Sequence, residues 1–163
     1  GAAEQMPWLG PVAVAAALAL HFRAARKPFD EALLVLTCAA MGASFDSILV
    51  AAGWVTYSAG LFSQYFAPYW IITMWMLFAT TLNVSMRWLR GRPILAALLG
   101  LYGGPTSYLA GQALGGIVLT KPVAALLMLG IGWAIMMPLL MWLSEMLDGM
   151  PGRPRNWILE RSQ

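Results

Sequence analysis

Four stretches of this sequence are apolar, nearly uncharged and long enough to cross a lipid bilayer. A hydrocarbon core of about 30 Å requires about 20 apolar residues in a helix. Residues 31–53, 68–88, 93–120 and 122–147 all reach that length, and 7–22 is a shorter fifth run almost free of polar groups. Helices of soluble domains average about 11–12 residues. Only 10% of the 163 residues are charged and 60% are hydrophobic, whereas a soluble domain carries about 25% charged residues. The sequence therefore predicts an all-α polytopic transmembrane helix bundle. Residues 1–148 form its single transmembrane domain and 149–163 a cytoplasmic tail.

The cations assign the two sides. The first connection holds Arg23, Arg26 and Lys27, the third holds Arg87, Arg90 and Arg92, and the tail holds Arg153, Arg155 and Arg161. The second connection, 54–67, holds no cation, and the fourth holds only Lys121. Cytoplasmic loops carry the excess of Lys and Arg, so connections one and three and the C-terminus are expected inside. The expected location is the bacterial inner membrane. The net charge of +3 follows from these flanking cations, and no nucleic-acid partner is expected. The uncharged second connection carries Trp54, Tyr57, Phe62, Tyr65, Phe66, Tyr69 and Trp70, which read as an outer interfacial belt.

Pro28, Pro68, Pro93 and Pro122 stand at or just before helix starts, where proline is tolerated because first-turn amides have no intrahelical partner. Asp30 and Glu31 complement the dipole at the start of the second helix. With the C-terminus inside, five spans place residue 1 outside. Gly1-Ala2-Ala3 reads like the end of an apolar helix, so a sixth, upstream span is expected, with both ends then cytoplasmic.

Residues able to carry chemistry are few. Phosphate-binding, zinc-protease and serine-nucleophile signatures are missing, and the lone Cys38 supplies neither a disulfide nor a cysteine-based metal site. No catalytic residue, metal or cofactor is expected. His21 reads as an interfacial residue. Asp46 is the one acid deep within a span, where a carboxylate costs at least about 2.5–3.5 kcal/mol and must face protein or water. It lies on a stripe with Gly42 and other small residues suited to close packing. It reads either as a proton or ligand site or as a hydrogen-bonded strut between helices.

The fourth span is rich in glycine. Gly103, Ser107, Gly111 and Gly115 recur every fourth residue and predict close helix packing. Pro105 removes an amide donor and predicts a kink or break in the helix. Tyr108 and Gln112 fall at about the depth of Asp46. The candidate ligand site is therefore Asp46, Tyr108 and Gln112 with the backbone at Gly104, Pro105 and Thr106; the alternative is glycine packing around a kink. Asn83, with Thr80 and Thr81, sits near the cytoplasmic face and predicts an interhelical hydrogen bond. Trp133 and Pro138 suggest a second kink, and Glu145 and Asp148 are candidates to pair with the basic loops.

The motifs G-x-x-x-D-S (Gly42 to Ser47) and G-G-P-x-S-Y-x-x-G (Gly103 to Gly111) resemble a family of unknown function made of small bacterial inner-membrane proteins with about six spans. The resemblance covers nearly the whole chain and implies an upstream first span. It also implies an association with lipid-modifying enzymes such as cyclopropane-fatty-acid synthases. A shorter stretch, Gly104-Pro-Thr-Ser-Tyr-Leu-Ala-Gly111, is similar to a motif of the biotin-binding subunits of vitamin uptake transporters. The function expected first is binding or moving a small molecule or lipid in an intramembrane pocket, with membrane lipids as partners. The alternative is a non-catalytic structural or assembly subunit with a membrane-protein partner or a second copy. An intramembrane enzyme ranks third.

Overall fold

The computed structural model describes Glu4 and residues 6–151. Gly1–Ala3, on which the expectation of an upstream span rests, lie outside the described residues, as do 152–163 with three of the tail cations. Five helices follow one another: α1 (Leu9–Ala24), α2 (Pro28–Ala51), α3 (Tyr69–Leu82), α4 (Pro93–Ala113) and α5 (Pro122–Met146). Strand β1 (Val55–Tyr57) follows α2, and β2 (Ile117–Leu119) follows α4. Three helices, α2, α4 and α5, are long and apolar enough to cross a membrane; α1 and α3 are shorter apolar helices. Proline occupies the first turn of α2, α4 and α5, and Pro68 caps α3.

Two runs that read as unbroken helix are shorter in the fold. The fourth helix ends at Ala113 because Gly115 takes a left-handed φ of 77°. Gly115 N then donates to Gln112 O, and Gly116 N reaches back to Gly111 O. These two bonds are a Schellman ending, which glycine adopts without a Cβ penalty. Helix α2 ends in the same way at Gly53, with Gly53 N donating to Val50 O and Trp54 N to Leu49 O. The third helix stops at Leu82, followed by turns and a 3-10 segment at Arg87–Leu89. The interior prolines break nothing: α4 continues through Pro105 and α5 through Pro138.

The two Schellman endings launch the two strands, which pair antiparallel with Val55 opposite Leu119, Thr56 opposite Val118 and Tyr57 opposite Ile117. This register is two-fold symmetric about the Thr56–Val118 pair. It relates one helix–strand–helix unit, α2-β1-α3, to a second, α4-β2-α5. Equivalent positions behave alike. Gly42 and Gly104 stand at the same distance before Gly53 and Gly115, and each faces an indole, Trp75 and Trp133 respectively. Cys38 and Gly100 are likewise equivalent; Cys38 Sγ donates to Trp75 O, and a Cβ on Gly100 would strike Trp133 O. The two indoles stack across the axis with centroids 4.6 Å apart and planes 13° from parallel.

This packing has a direct consequence for Gly100. A Cβ there would stand 2.1 Å from the Trp133 backbone carbonyl oxygen, so Gly100→Ala should force α4 and α5 apart. Overpacking of this kind costs about 1–3 kcal/mol. A lowered thermal midpoint of the detergent-solubilised variant is the expected result.

Candidate functional site

Asp46 lies in the middle of the bundle with no exposed surface. Three donors from three different elements converge on its carboxylate. Tyr57 Oη of β1 donates to Oδ1 at 2.8 Å, Trp75 Nε1 of α3 donates to Oδ2 at 2.7 Å, and Tyr108 Oη of α4 donates to Oδ1. A carboxylate, which offers about four acceptor positions and no donor when ionised, answers all three. Burial, followed by the charge of Asp46, pushes the Tyr57 hydroxyl well above its usual range, so it remains a donor. Tyr108 is the counterpart of Asp46 in the second unit, at the same distance before its left-handed glycine. The two thus bond across the axis.

Of the residues expected at this site, the structure brings Asp46 and Tyr108 together and disperses the others. Gln112 is exposed, and its Oε1 accepts from Leu119 N because α4 has ended one residue later. Gly104 packs on the Trp133 ring, Thr106 is exposed with its hydroxyl bonded to Tyr102 and Gly103 carbonyls, and Pro105 lies on the Gly130 side. The four-residue stripe also divides. Gly111 meets Ile117, but Gly103 has no neighbour within 4 Å, Ser107 is exposed and Gly115 is the exposed helix stop. Close approach falls instead at Gly100 and Gly104, one position round the helix. Gly42 does pack closely, on Trp75.

Tyr108 and Trp75 turn their other faces to a cavity of about 740 Å³ between α3 and α4, which also touches the start of α1. Such a volume is typical of small-molecule pockets. Its walls are Trp70, Met74, Trp75 and Phe78 of α3, Ser107, Tyr108, Gly111 and Leu114 of α4, and Trp133 of α5. The pseudo-symmetry explains why the space exists. In the equivalent seam, between α2 and α5, the Phe45 ring fills the gap against Gly132. The counterparts of that pair are Ser107 and Met74, because Ser107 precedes Tyr108 as Phe45 precedes Asp46, and Met74 precedes Trp75 as Gly132 precedes Trp133. A serine cannot bridge what phenylalanine bridges. One seam is closed and its partner is open.

A second buried polar cluster lies at the opposite end of the bundle from the ribbon. Glu31 is fully buried. Its Oε2 bonds His21 Nε2 at 2.8 Å, and its Oε1 accepts from Asn83 Nδ2 at 2.7 Å and Gly149 N at 2.8 Å. His21 is thus buried rather than interfacial, and Glu31 does more than complement a helix dipole. Asn83 Oδ1 accepts from Arg90, and Asp148 pairs with both Arg87 and Arg90. Partial burial pushes the Asp148 carboxyl up. The Arg90 and Met150 hydrogen bonds and the two guanidinium charges outweigh this and hold it below the usual range. Its contribution to stability is therefore present at neutral pH and lost as pH falls through its lowered pKa. Glu145 is exposed, and the Thr80 and Thr81 hydroxyls bond carbonyls of their own helix.

The sequence signals behind the missed residues are weak. Tyr57 reads as one belt aromatic among several, Trp75 as one apolar residue on an apolar helix, and Glu31 as an ordinary first-turn acid. Among the described residues no group of three His, Cys, Asp or Glu side chains is placed to hold a metal. Comparison with family models matches residues 1–139 to the family described as protein of unknown function DUF2878, and the chain belongs to that family. No curated protein and no solved structure matches it.

Proposed function

We propose that this member of the family is a polytopic protein of the bacterial inner membrane that binds or moves an apolar small molecule or lipid in the cleft between α3 and α4. The observation that carries this reading is the open seam. Two pseudo-equivalent seams flank the Trp75–Trp133 stack; one is plugged by Phe45, and the other holds a cavity with a mostly apolar wall that includes five aromatic rings. On this reading the cleft opens sideways and its occupant comes from the bilayer. Asp46 is a positioning residue in this scheme, because it fixes the two side chains, Trp75 and Tyr108, that form the cavity floor. The charged end with Glu31, Arg87 and Arg90 is the cytoplasmic end, and the ribbon end with Lys121 the outer one. The alternation of cations along the sequence supports this orientation.

Ser107→Phe tests the reading, because it installs the plug that the other seam already has. Native mass spectrometry of gently extracted protein should show a bound small-molecule or lipid adduct on the wild type. At least a tenfold loss is expected in Ser107→Phe, with thermal stability unchanged or raised. Equal retention by both proteins would refute the pocket.

A second reading is a structural or assembly subunit linked to membrane-lipid modification. It draws support from the small-residue face of α4, since Gly103 and Ser107 open onto the cleft side without a helix against them. Small residues are what an approaching helix needs. On this reading Ser107→Phe would release a polypeptide partner rather than a small molecule.

A further inference from the structure

The polar groups on the cavity wall are almost all committed. Ser107 Oγ donates to Gly103 O, Trp70 Nε1 to Ala59 O, Trp75 Nε1 to Asp46, and Tyr108 Oη to Asp46. Trp133 is the exception: other atoms of the residue line the cavity, while its Nε1–H is covered by protein and has no hydrogen-bond partner among the described residues. An indole N–H can only donate, and leaving a buried donor unmatched costs about 1–3 kcal/mol. Native structures keep few such groups, and each calls for an explanation.

The pseudo-symmetry shows what this donor lacks. Its counterpart, Trp75, stacks on it and donates to Asp46. The position equivalent to Asp46 beside Trp133 is Tyr108, whose hydroxyl is spent on Asp46 itself. One indole of the stack thus has a carboxylate oxygen built in, and the other, on the open side, has none. Among the described residues no Lys, Arg or His lines the cavity, and the one charged lining residue is the exposed Glu4 near the start of α1. An anionic group would find no counter-charge there, and a cation would find one only at that exposed position.

Resting on the lateral-pocket reading, we propose that the cavity takes a neutral, largely apolar molecule bearing a carbonyl oxygen, and that the Trp133 ring edge turns toward it so that Nε1–H donates to that oxygen. The ester of a bilayer lipid and the carbonyl of a separate membrane-soluble ketone or quinone share this chemistry.

The test uses the full chain in nanodiscs of diether phospholipid, which carries no ester carbonyl. Each of the eight tryptophans gives one indole N–H signal in a proton–nitrogen correlation spectrum, and Trp133→Phe assigns the relevant one. A long-chain methyl ketone and the n-alkane of the same length are titrated in, with the Met74 methyl reporting cavity occupancy. The expected result is that both probes shift the Met74 methyl but only the ketone moves the Trp133 indole proton downfield, and that Ser107→Phe abolishes both responses. If both probes occupy the cavity and the indole proton ignores the ketone, the carbonyl assignment is overturned while the pocket stands. If neither probe shifts the Met74 methyl, the pocket reading fails and this inference with it. Exchanging the diether lipid for its diester analogue separates the sources. A downfield indole shift without added ketone identifies the bilayer ester as the ligand, and an unmoved signal identifies a separate carbonyl compound.

Discussion

Asp46→Leu is expected to destabilise the fold by about 3 kcal/mol or more, because it strands three buried donors at about 1–3 kcal/mol each. Tyr57, Trp75 and Tyr108 belong to β1, α3 and α4, so the loss would uncouple three elements at once. Asp46→Asn should cost much less, about 1 kcal/mol. With the amide turned over, its oxygen takes the Trp75 N–H and its NH2 group faces two tyrosine oxygens, which can accept as well as donate. Thermal unfolding in detergent, with near-ultraviolet circular dichroism reporting the aromatic stack, checks both variants. Equal, large losses for Asn and Leu would mean that the negative charge matters in a way this hydrogen-bond account does not explain.

A loss of similar size is expected at the other end. Glu31→Leu removes the partner of His21, Asn83 and the Gly149 amide together. Each buried donor left without its acceptor costs about 1–3 kcal/mol. The damage should spread to the segment after α5, because Gly149 O also accepts from the Arg26 and Lys27 amides. Hydrogen exchange gives a local readout: the Gly149 amide should lose its protection in Glu31→Leu, while the amides of α4 keep theirs. A variant as stable as the wild type, with Gly149 still protected, would contradict the role assigned to Glu31.

How far the sequence could be read depends on the kind of signal each residue leaves. Asp46 was legible because an acid deep in an apolar run has no cheap explanation except buried partners. Tyr108 was legible by depth alone. Gln112 was not, because the same depth argument assumed that α4 runs to residue 120. The helix instead stops at a left-handed glycine in a run where several glycines compete for that role. Glu31 went unnoticed for the opposite reason, since a first-turn acid is already accounted for by the helix dipole. The two interior prolines remove one amide each without ending their helices, which remain continuous through Pro105 and Pro138.

The repeat of the helix–strand–helix unit was the least legible feature. Gly42 and Gly104, or Trp75 and Trp133, are easily paired once the strand register is known. The decisive equivalences, however, join unlike residues: Asp46 with Tyr108, Phe45 with Ser107, Gly132 with Met74. These differences distinguish the plugged seam from the open one, so the cavity arises where the repeat departs from itself.

The lateral pocket is the central claim, and site-specific photo-crosslinking in intact membranes tests it most directly. A benzophenone amino acid replaces Leu114, which lines the cavity and is 77% exposed, or Leu127, which is 62% exposed and lies away from it. Mass spectrometry then reads what each position captures. The account predicts that position 114 captures one dominant small-molecule or lipid species, which Ser107→Phe removes, while position 127 captures the mixed lipids of the bulk bilayer. The same unselected mixture at both positions, or a polypeptide at position 114, would contradict it.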